Sequence, residues 1–304
     1  MKVNSKTVGI IIPCFNESNS LNDSFEDLYK NLIKLNNKNI LINLILVNDG
    51  STDNTWDLIK KIILNKKYKV SIKGINLFRN FGKDNAIFKM LKTYDFDAYL
   101  VIDSDGEHPF SEIKNFISCW NTQSYPIVMG VRANNGTIFN NIKSFIYYLS
   151  IKFIAGIDIE KNITDFKLID SSIKKIIFNR YRNPKFWKLI TEDLKFEKKI
   201  IKFKYKKNQN KINSSFSIFT LLKVYATHLF GISTKPFKVL LVTNIFLVLL
   251  SLIFSFLNIH NLSLILIFLA FLFFTSFIII IKKFEFDNFL YHDDVLLSEV
   301  ISND

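Results

Sequence analysis

Three carboxylates crowd the end of an apolar run: in DAYLVIDSDGEHPF, residues 97 to 110, Asp103, Asp105 and Glu107 follow directly on Ala98 to Ile102. A buried strand can deliver acids to the rim of a sheet, where they converge instead of being buried unpaired. Convergent carboxylates repel one another unless a cation joins them. Oxygen ligands at this spacing suit Mg²⁺ or Mn²⁺ bridging to a diphosphate, with Asp103 and Asp105 as the main ligands and Glu107 as a third candidate. A D-x-D pair alone is a weak signal, since exposed loops contain it by chance; its place behind a buried strand strengthens it.

Two further polar clusters close apolar runs, PCFNE (13 to 17) and NDGSTD (48 to 53). Asp49, the last polar group before Gly50, could accept hydrogen bonds from a nucleobase. The same segment reads as a turn and a helix start, with Ser51 or Asp53 capping the stretch from Thr55. NLFRNFGK, residues 76 to 83, offers Arg79 and Lys83 to phosphates or to the acidic cluster. Surface solvation competes for Lys83, less so for Arg79, which sits between Phe78 and Phe81.

Short apolar runs that alternate with helical stretches must position these groups. The expected strands are Val8 to Ile12, Ile40 to Val47, Tyr68 to Asn76, Ala98 to Ile102 and Ile127 to Val131. The expected helices are Leu21 to Leu35, Thr55 to Leu64, Lys83 to Lys92 and Ser111 to Trp120. This alternation predicts an α/β fold with a parallel, doubly wound sheet, which binds ligands outside the carboxyl ends of its strands.

The last third is different. Val239 to Leu257 and Leu262 to Ile281 carry no charged residue, and as helices each reaches about 30 Å, the thickness of a hydrocarbon core. Only NIHN, residues 258 to 261, separates them, so a tight two-span hairpin is expected. Lys235 and Lys238 precede it, Lys282 and Lys283 follow it, and the tip has no Lys or Arg. The positive-inside rule then puts residues 1 to 238 and the tail in the cytoplasm of an integral membrane protein, in an inner or plasma membrane. Cys14 and Cys119 make no disulfide framework, which agrees with a reducing compartment. The net charge of +13 is spread along the chain. It is not gathered into a recognition helix, so anionic lipid is the expected partner and nucleic acid is not. Phe216 to Gly231 has the spacing of an amphipathic helix, with an ordinary core helix as the competing reading. The expected organisation is a sheet domain over 1–213, a juxtamembrane segment over 214–238, the hairpin over 239–281 and a tail over 282–304. The hairpin leaves apolar surface through which a homo-oligomer could form.

The ordered set IIPCFNE, VNDGSTDNT, NLFRNFGKDNAI, DAYLVIDSDGEHP and ITDFKLID, with the apolar hairpin behind it, resembles the polyprenyl-phosphate glycosyltransferases of glycosyltransferase family two. That group includes dolichyl-phosphate mannose synthases and bacterial undecaprenyl-phosphate glucosyltransferases. The resemblance covers roughly residues 7 to 281. It implies a Rossmann-like GT-A fold, a nucleotide-diphosphate sugar donor such as a UDP- or GDP-hexose, and a polyprenyl-phosphate acceptor. It also implies that Pro13, Asn16, Glu17 and Asp49 hold the nucleoside, with Arg79, Lys83 and Ser104 completing the donor site. Asp103 and Asp105 would hold metal and diphosphate, with Glu107 standing where the family usually has Gln. Arg132, Lys143 and Ser144 match the region that receives the acceptor phosphate, and Asp165 matches an acidic position near the reaction centre.

Some features depart from the family. A second Arg after the VRANN region is absent, with Asn134, Asn135, Asn140 and Asn141 nearby. Lys206, Lys207 or Lys211, around Ser214 and Ser215, are the candidate replacements for another basic position, and Lys lacks the bidentate fork of Arg. The tail matches nothing in the family. Because a phosphate monoester with a second pKa of roughly 6 is already anionic at neutral pH, such an acceptor needs no strong general base. The expected reaction is a metal-dependent inverting displacement. A processive polysaccharide synthase is disfavoured by the missing Q-x-x-R-W and the small number of spans. A catalytically impaired nucleotide-sugar-binding scaffold is disfavoured by the intact Asp103 and Asp105.

Overall fold

Strand β1 (Lys6–Cys14) ends in an apolar run of seven residues, Val8 to Cys14, all of them buried, as a strand covered on both faces requires. It lies at the centre of an eight-stranded sheet in a computed structural model that describes residues 5–36, 39–133, 149, 152–153, 156–181, 186–204, 235–257, 259–290 and 297–303. The other strands are β2 (Ile40–Asn48), β3 (Ser71–Leu77), β4 (Ala98–Val101), β5 (Ile127–Arg132), β6 (Ile163–Asp170), β7 (Lys198–Phe203) and β8 (Leu297–Ser302). Their order across the sheet is β7-β5-β6-β4-β1-β2-β3-β8.

The expected wholly parallel sheet is corrected to a mixed one. Strands β1 to β4 run parallel, but β6 enters antiparallel between β4 and β5, and β8 pairs antiparallel with β3. The reason for β6 is its connection: the chain leaves β5 at the rim where the parallel strands end, and after residues 133 to 162 it comes back from that rim. The tail, to which the sequence assigned nothing, supplies β8, and Asn303 clamps it by accepting the Ile72 N–H at 2.8 Å and donating to the Val70 carbonyl at 3.0 Å.

Helices α1 (Leu21–Leu32), α2 (Thr55–Leu64) and α4 (Ile113–Asn121) bury Leu21, Phe25, Leu28, Ile59, Ile63 and Phe116 in one core with Ile10, Leu44 and Leu100 of the sheet. The spacing of the α1 residues is the period of one helical face. Alternate strand residues such as Ile11, Ile45 and Val101 are equally buried. Helix α3 (Lys83–Thr93) therefore packs on the other face, against β1. Helices α5 (Ser171–Arg180) and α6 (Trp187–Asp193) follow β6.

The chain divides into two compact units, one of Met1–Asn135, Glu160–Ser214 and Val295–Asp304, the other of Gly136–Ile159 and Ser215–Asp294. The second contains helices α7 (Lys235–Phe256) and α8 (His260–Leu290), consecutive in sequence. Asn244 of α7 donates across to the Ala270 carbonyl of α8 at 2.7 Å, which satisfies a polar side chain inside an apolar pair. Among the described residues one helix, Lys238–Phe256, is long and apolar enough to cross a bilayer, and a shorter apolar stretch, His260–Ser276, lies in α8. Helix α8 continues past the expected span end at Ile281 to Leu290. The stretch Phe216 to Gly231 lies outside the described residues, as do Asn134, Asn135, Asn140, Asn141, Lys206, Lys207, Lys211, Ser214 and Ser215.

Candidate active site

The parallel strands all end at one rim, and their loops are tied together there. Pro13 and Cys14 of β1 stand beside Val47 and Asn48 of β2, and the Asp49 N–H donates to the Cys14 carbonyl at 2.9 Å. Asn16 adopts a left-handed φ of 55°. Its N–H donates to Ser51 Oγ at 3.0 Å while its Oδ1 accepts the Thr52 N–H at 2.9 Å, stitching the PCFNE loop to the NDGSTD loop. Of the two capping candidates, Asp53 accepts the Thr55 N–H at 3.0 Å; it also accepts the Ser18 N–H at 3.1 Å.

Gly50 lets a third loop approach. Its φ is +62°, and a Cβ there would lie 2.2 Å from the Arg79 carbonyl carbon. Across this contact Asp49, only 2% exposed, accepts the Phe81 N–H at 2.8 Å. Burial pushes the Asp49 pKa above the usual carboxylate range, partly offset by hydrogen bonds from Phe81 and Gly82.

These loops wall a cleft of about 300 Å³. The β1 end supplies Pro13 and Glu17, the β2 end Asp49, the start of α3 Lys83, and the β4 end Asp103, Ser104 and Asp105. Seven expected site residues therefore share one cavity. Lys83 donates to Asp165 Oδ2 at 2.7 Å and to Asp103 Oδ1, so it joins β4 to β6 across the rim. Its pKa rises despite the cost of burial, because Asp103 and Asp165 hold the charge. Burial opposes ionisation of Asp165, yet Lys83, with Lys188 and Lys167, brings its pKa below the usual range.

Other expected residues stand elsewhere. Arg79 is exposed, with its guanidinium 4.7 Å from the Phe81 ring centroid, and does not line the cleft. Asn16 acts as the loop stitch. Arg132 is exposed at the end of β5, which runs in the direction of β4 and so ends at the same rim. Lys143 and Ser144 lie outside the described residues.

The structure does not gather Glu107 into a three-carboxylate cage; its N–H donates to Asp105 Oδ1 at 3.0 Å. Among the described residues no three His, Cys, Asp or Glu side chains converge on a common metal position. Asp103 and Asp105 beside the open cleft fit an Mg²⁺ or Mn²⁺ ion whose remaining ligands come from substrate phosphate and water.

Several residues around the site carried no clear signal in the sequence. Asn80 and Gly82 also line the cleft. His108 is fully buried, its pKa held low by burial, and its Nδ1 faces the Asp103 N–H at 3.4 Å behind the acidic turn. Lys167, in the middle of ITDFKLID, is fully buried, and burial lowers its pKa to about 8. Asp84 is pushed up to about 6 by burial and by Asp165.

The family model described as glycosyl transferase family 2 matches residues 9–221, more than half of the chain and all of the cleft. The chain belongs to glycosyl transferase family 2. Among relatives of this family 2 chain, CsbB, a protein of Bacillus subtilis (strain 168) with a glycosyltransferase name, is 27% identical over 248 residues, 81% of this chain and 73% of that one. The bactoprenol glucosyl transferase of Shigella phage SfV is 26% identical over 169 residues, 55% of this chain and 52% of that one. The family 2 chain thus spans about half the length of that second relative. Its fold is similar to the crystal structure of glucosyl-3-phosphoglycerate synthase from Mycobacterium tuberculosis in complex with Mn²⁺, UDP and glucosyl-3-phosphoglycerate. The TM-score is 0.50 and the identity 12%, covering 76% of this chain and 80% of that one, a likeness of fold alone. The family 2 domain is accordingly a GT-A, Rossmann-like mixed sheet with helices.

Proposed function

We propose that this protein transfers a hexose from a nucleotide-diphosphate sugar to polyprenyl phosphate at the cytoplasmic face of a membrane. The observation that carries the reading is the joining of Asp49, Lys83, Asp103 and Asp105 in one cleft at the strand ends. Asp49 offers a buried carboxylate to the base of UDP or GDP. Pro13 and Glu17 flank it, and Ser104 lies towards the diphosphate. A divalent cation held by Asp103 and Asp105 supplies charge neutralisation at the diphosphate. Lys83 adds a fixed positive charge beside the leaving group, where preorganised charge lowers a barrier most.

The state of Asp165 supports a phosphate acceptor over a hydroxyl. A carboxylate paired with Lys83 and held below its usual pKa is a weak proton acceptor, so a nucleophile that is already ionised suits this centre. Arg132 at the same rim is the candidate cation for the acceptor phosphate, with Lys143 and Ser144 proposed beside it. The names of relatives such as the bactoprenol glucosyl transferase point the same way.

The membrane arrangement is proposed as two spans, α7 and the apolar part of α8. Strands β7 and β8 flank these helices in sequence and belong to the same sheet. A chain that returns to the sheet it left crosses a bilayer an even number of times, which favours a hairpin over one span. The boundaries read from the sequence, 1–213, 214–238, 239–281 and 282–304, are retained as the proposed functional parts, with β8 as the portion of the last that returns to the sheet.

The test is formation of lipid-linked sugar by the purified full-length protein from radiolabelled UDP- or GDP-sugars and polyprenyl phosphate in vesicles. Organic-extractable label that depends on the lipid phosphate is expected. Its absence with every donor, while donor still binds, overturns the acceptor.

A further inference from the structure

The sheet does not hold Asp165 in place by itself. Registered pairing of β6 to β4 ends at Val101↔Lys167, and its pairing to β5 slips from Met129↔Lys167 to Val131↔Ile163. Asp165 falls in the slipped interval, without a registered partner on either side, although its side chain pairs with Lys83. Its carbonyl oxygen instead accepts the indole N–H of Trp187 at 2.9 Å.

Trp187 is itself anchored from several directions. It is fully buried at the start of α6, directly after Phe186, whose left-handed φ of 61° turns the chain sharply into the helix. Its main-chain N–H donates to Asp84 Oδ1 at 3.2 Å, tying it to the first turn of α3, the turn that carries Lys83. Its ring meets Phe88 edge-on at 6.1 Å. Beneath it Lys167 donates to the Trp187 and Lys188 carbonyls, both at 3.0 Å, and to Thr191 Oγ1 at 2.6 Å. An ammonium has three donors, and all are spent on holding α6. A purely apolar core would need only the ring. The indole N–H is directed at the Asp165 backbone, and the buried lysine at the start of α6 that carries the indole.

We propose that Trp187 is a positioning residue for sugar transfer, which holds Asp165 through its carbonyl and α3 through Asp84 and so fixes where the Lys83 charge stands in the cleft. Lys167 and Thr191 latch it. Misplacement of charged groups by about 1 Å can cost on the order of a hundredfold in rate without loss of binding. The inference rests on the reading of the cleft as the transfer site, and not on the identity of the acceptor.

Trp187→Phe keeps a buried aromatic ring, smaller than the indole, and deletes the indole N–H; the thermal midpoint reads the packing cost separately. Steady-state kcat and donor KM of the full-length protein are measured beside calorimetric donor binding and the thermal midpoint. A kcat lowered about tenfold or more, with donor affinity within about twofold of wild type, is expected. Unchanged kcat, or a loss that only follows the folded fraction, overturns the proposal. If Trp187→Phe fails to fold, Thr191→Val, which removes one partner of the latch, must give the same kcat-only loss at smaller size; an unaltered kcat there overturns it. Donor hydrolysis in the absence of lipid is followed in parallel. Hydrolysis without lipid-linked product in the wild type defeats the acceptor reading, and the kcat comparison is then read on hydrolysis.

Discussion

Lys83, in the first turn of α3, reaches Asp165 of β6 at 2.7 Å, and the same ammonium pairs with Asp103 behind β4. One cation thus bridges two carboxylates, at the ends of strands that are neighbours in the sheet and far apart in sequence.

Replacing Lys83 with Met leaves Asp103 and Asp165 facing each other and removes positive charge from the diphosphate side of the cleft. Turnover should fall by about a hundredfold or more, the usual scale for a preorganised charge at a leaving group. Because the two carboxylates lose their shared cation, the thermal midpoint should also fall, and turnover is compared per folded protein. Near-wild-type turnover in a folded Lys83→Met protein would remove it from the chemistry.

Asp105→Asn should abolish most activity while the protein stays folded, because this side chain lies beyond the packed core. Wild-type activity should vanish in excess chelator and return with Mg²⁺ or Mn²⁺. Undiminished turnover by Asp105→Asn with chelator present contradicts a metal held there.

Asp84 gives a pH signature. Its folded pKa is about 6 against 3.8 for the free side chain, so the ionised form is disfavoured by folding. The resulting destabilisation is absent below about pH 4, grows between the two values and is complete above about 6. A shift of roughly two units corresponds to as much as about 3 kcal/mol. Asn keeps an oxygen for the Trp187 N–H but carries no charge. Asp84→Asn should therefore raise the unfolding midpoint at pH 8 and leave it nearly unchanged at pH 4, as read by denaturant titration; an equal gain at both would assign the effect to packing.

Gly50→Ala combines a left-handed φ with a Cβ placed against the Arg79 backbone. The loop cannot yield without releasing the Asp49 to Phe81 hydrogen bond. A stability loss of about 2 kcal/mol or more is expected, together with loss of calorimetric nucleotide binding. Retained binding would show that the two loops need not touch.

The first half of the fold was legible because its signals are local. Strands β1 to β5 are apolar runs bounded by turn residues, and helices α1 to α4 show the 3.6-residue period; both patterns end within a few residues of the observed elements. The direction of β6 was not legible, because it depends on where the excursion after Arg132 returns. Nor was β8, whose LSEVIS has half its residues polar and packs by pairing with an edge. In the site, the acidic turn and Asp49 declared themselves by following buried strands. Lys167 did not, since a lone lysine reads as solvent-exposed until its three buried acceptors are known. Arg79, flanked by phenylalanines, suggested a packed site residue, and it stacks on Phe81 at the surface.

Strand β8 also sets an order of assembly. Lys73 and Ser302 are sheet neighbours, so β3 waits for all the chain through Ser302 to be synthesised before its outer edge is covered. Until then the nascent protein presents an unpaired edge, the kind of surface on which strands of other chains nucleate aggregates. The covering strand lies beyond the apolar helices α7 and α8 in sequence, so the edge closes only after both have been made. Closure of the sheet thereby comes after the apolar pair, and a chain whose β8 segment fails to dock keeps an open edge that marks it as unfinished.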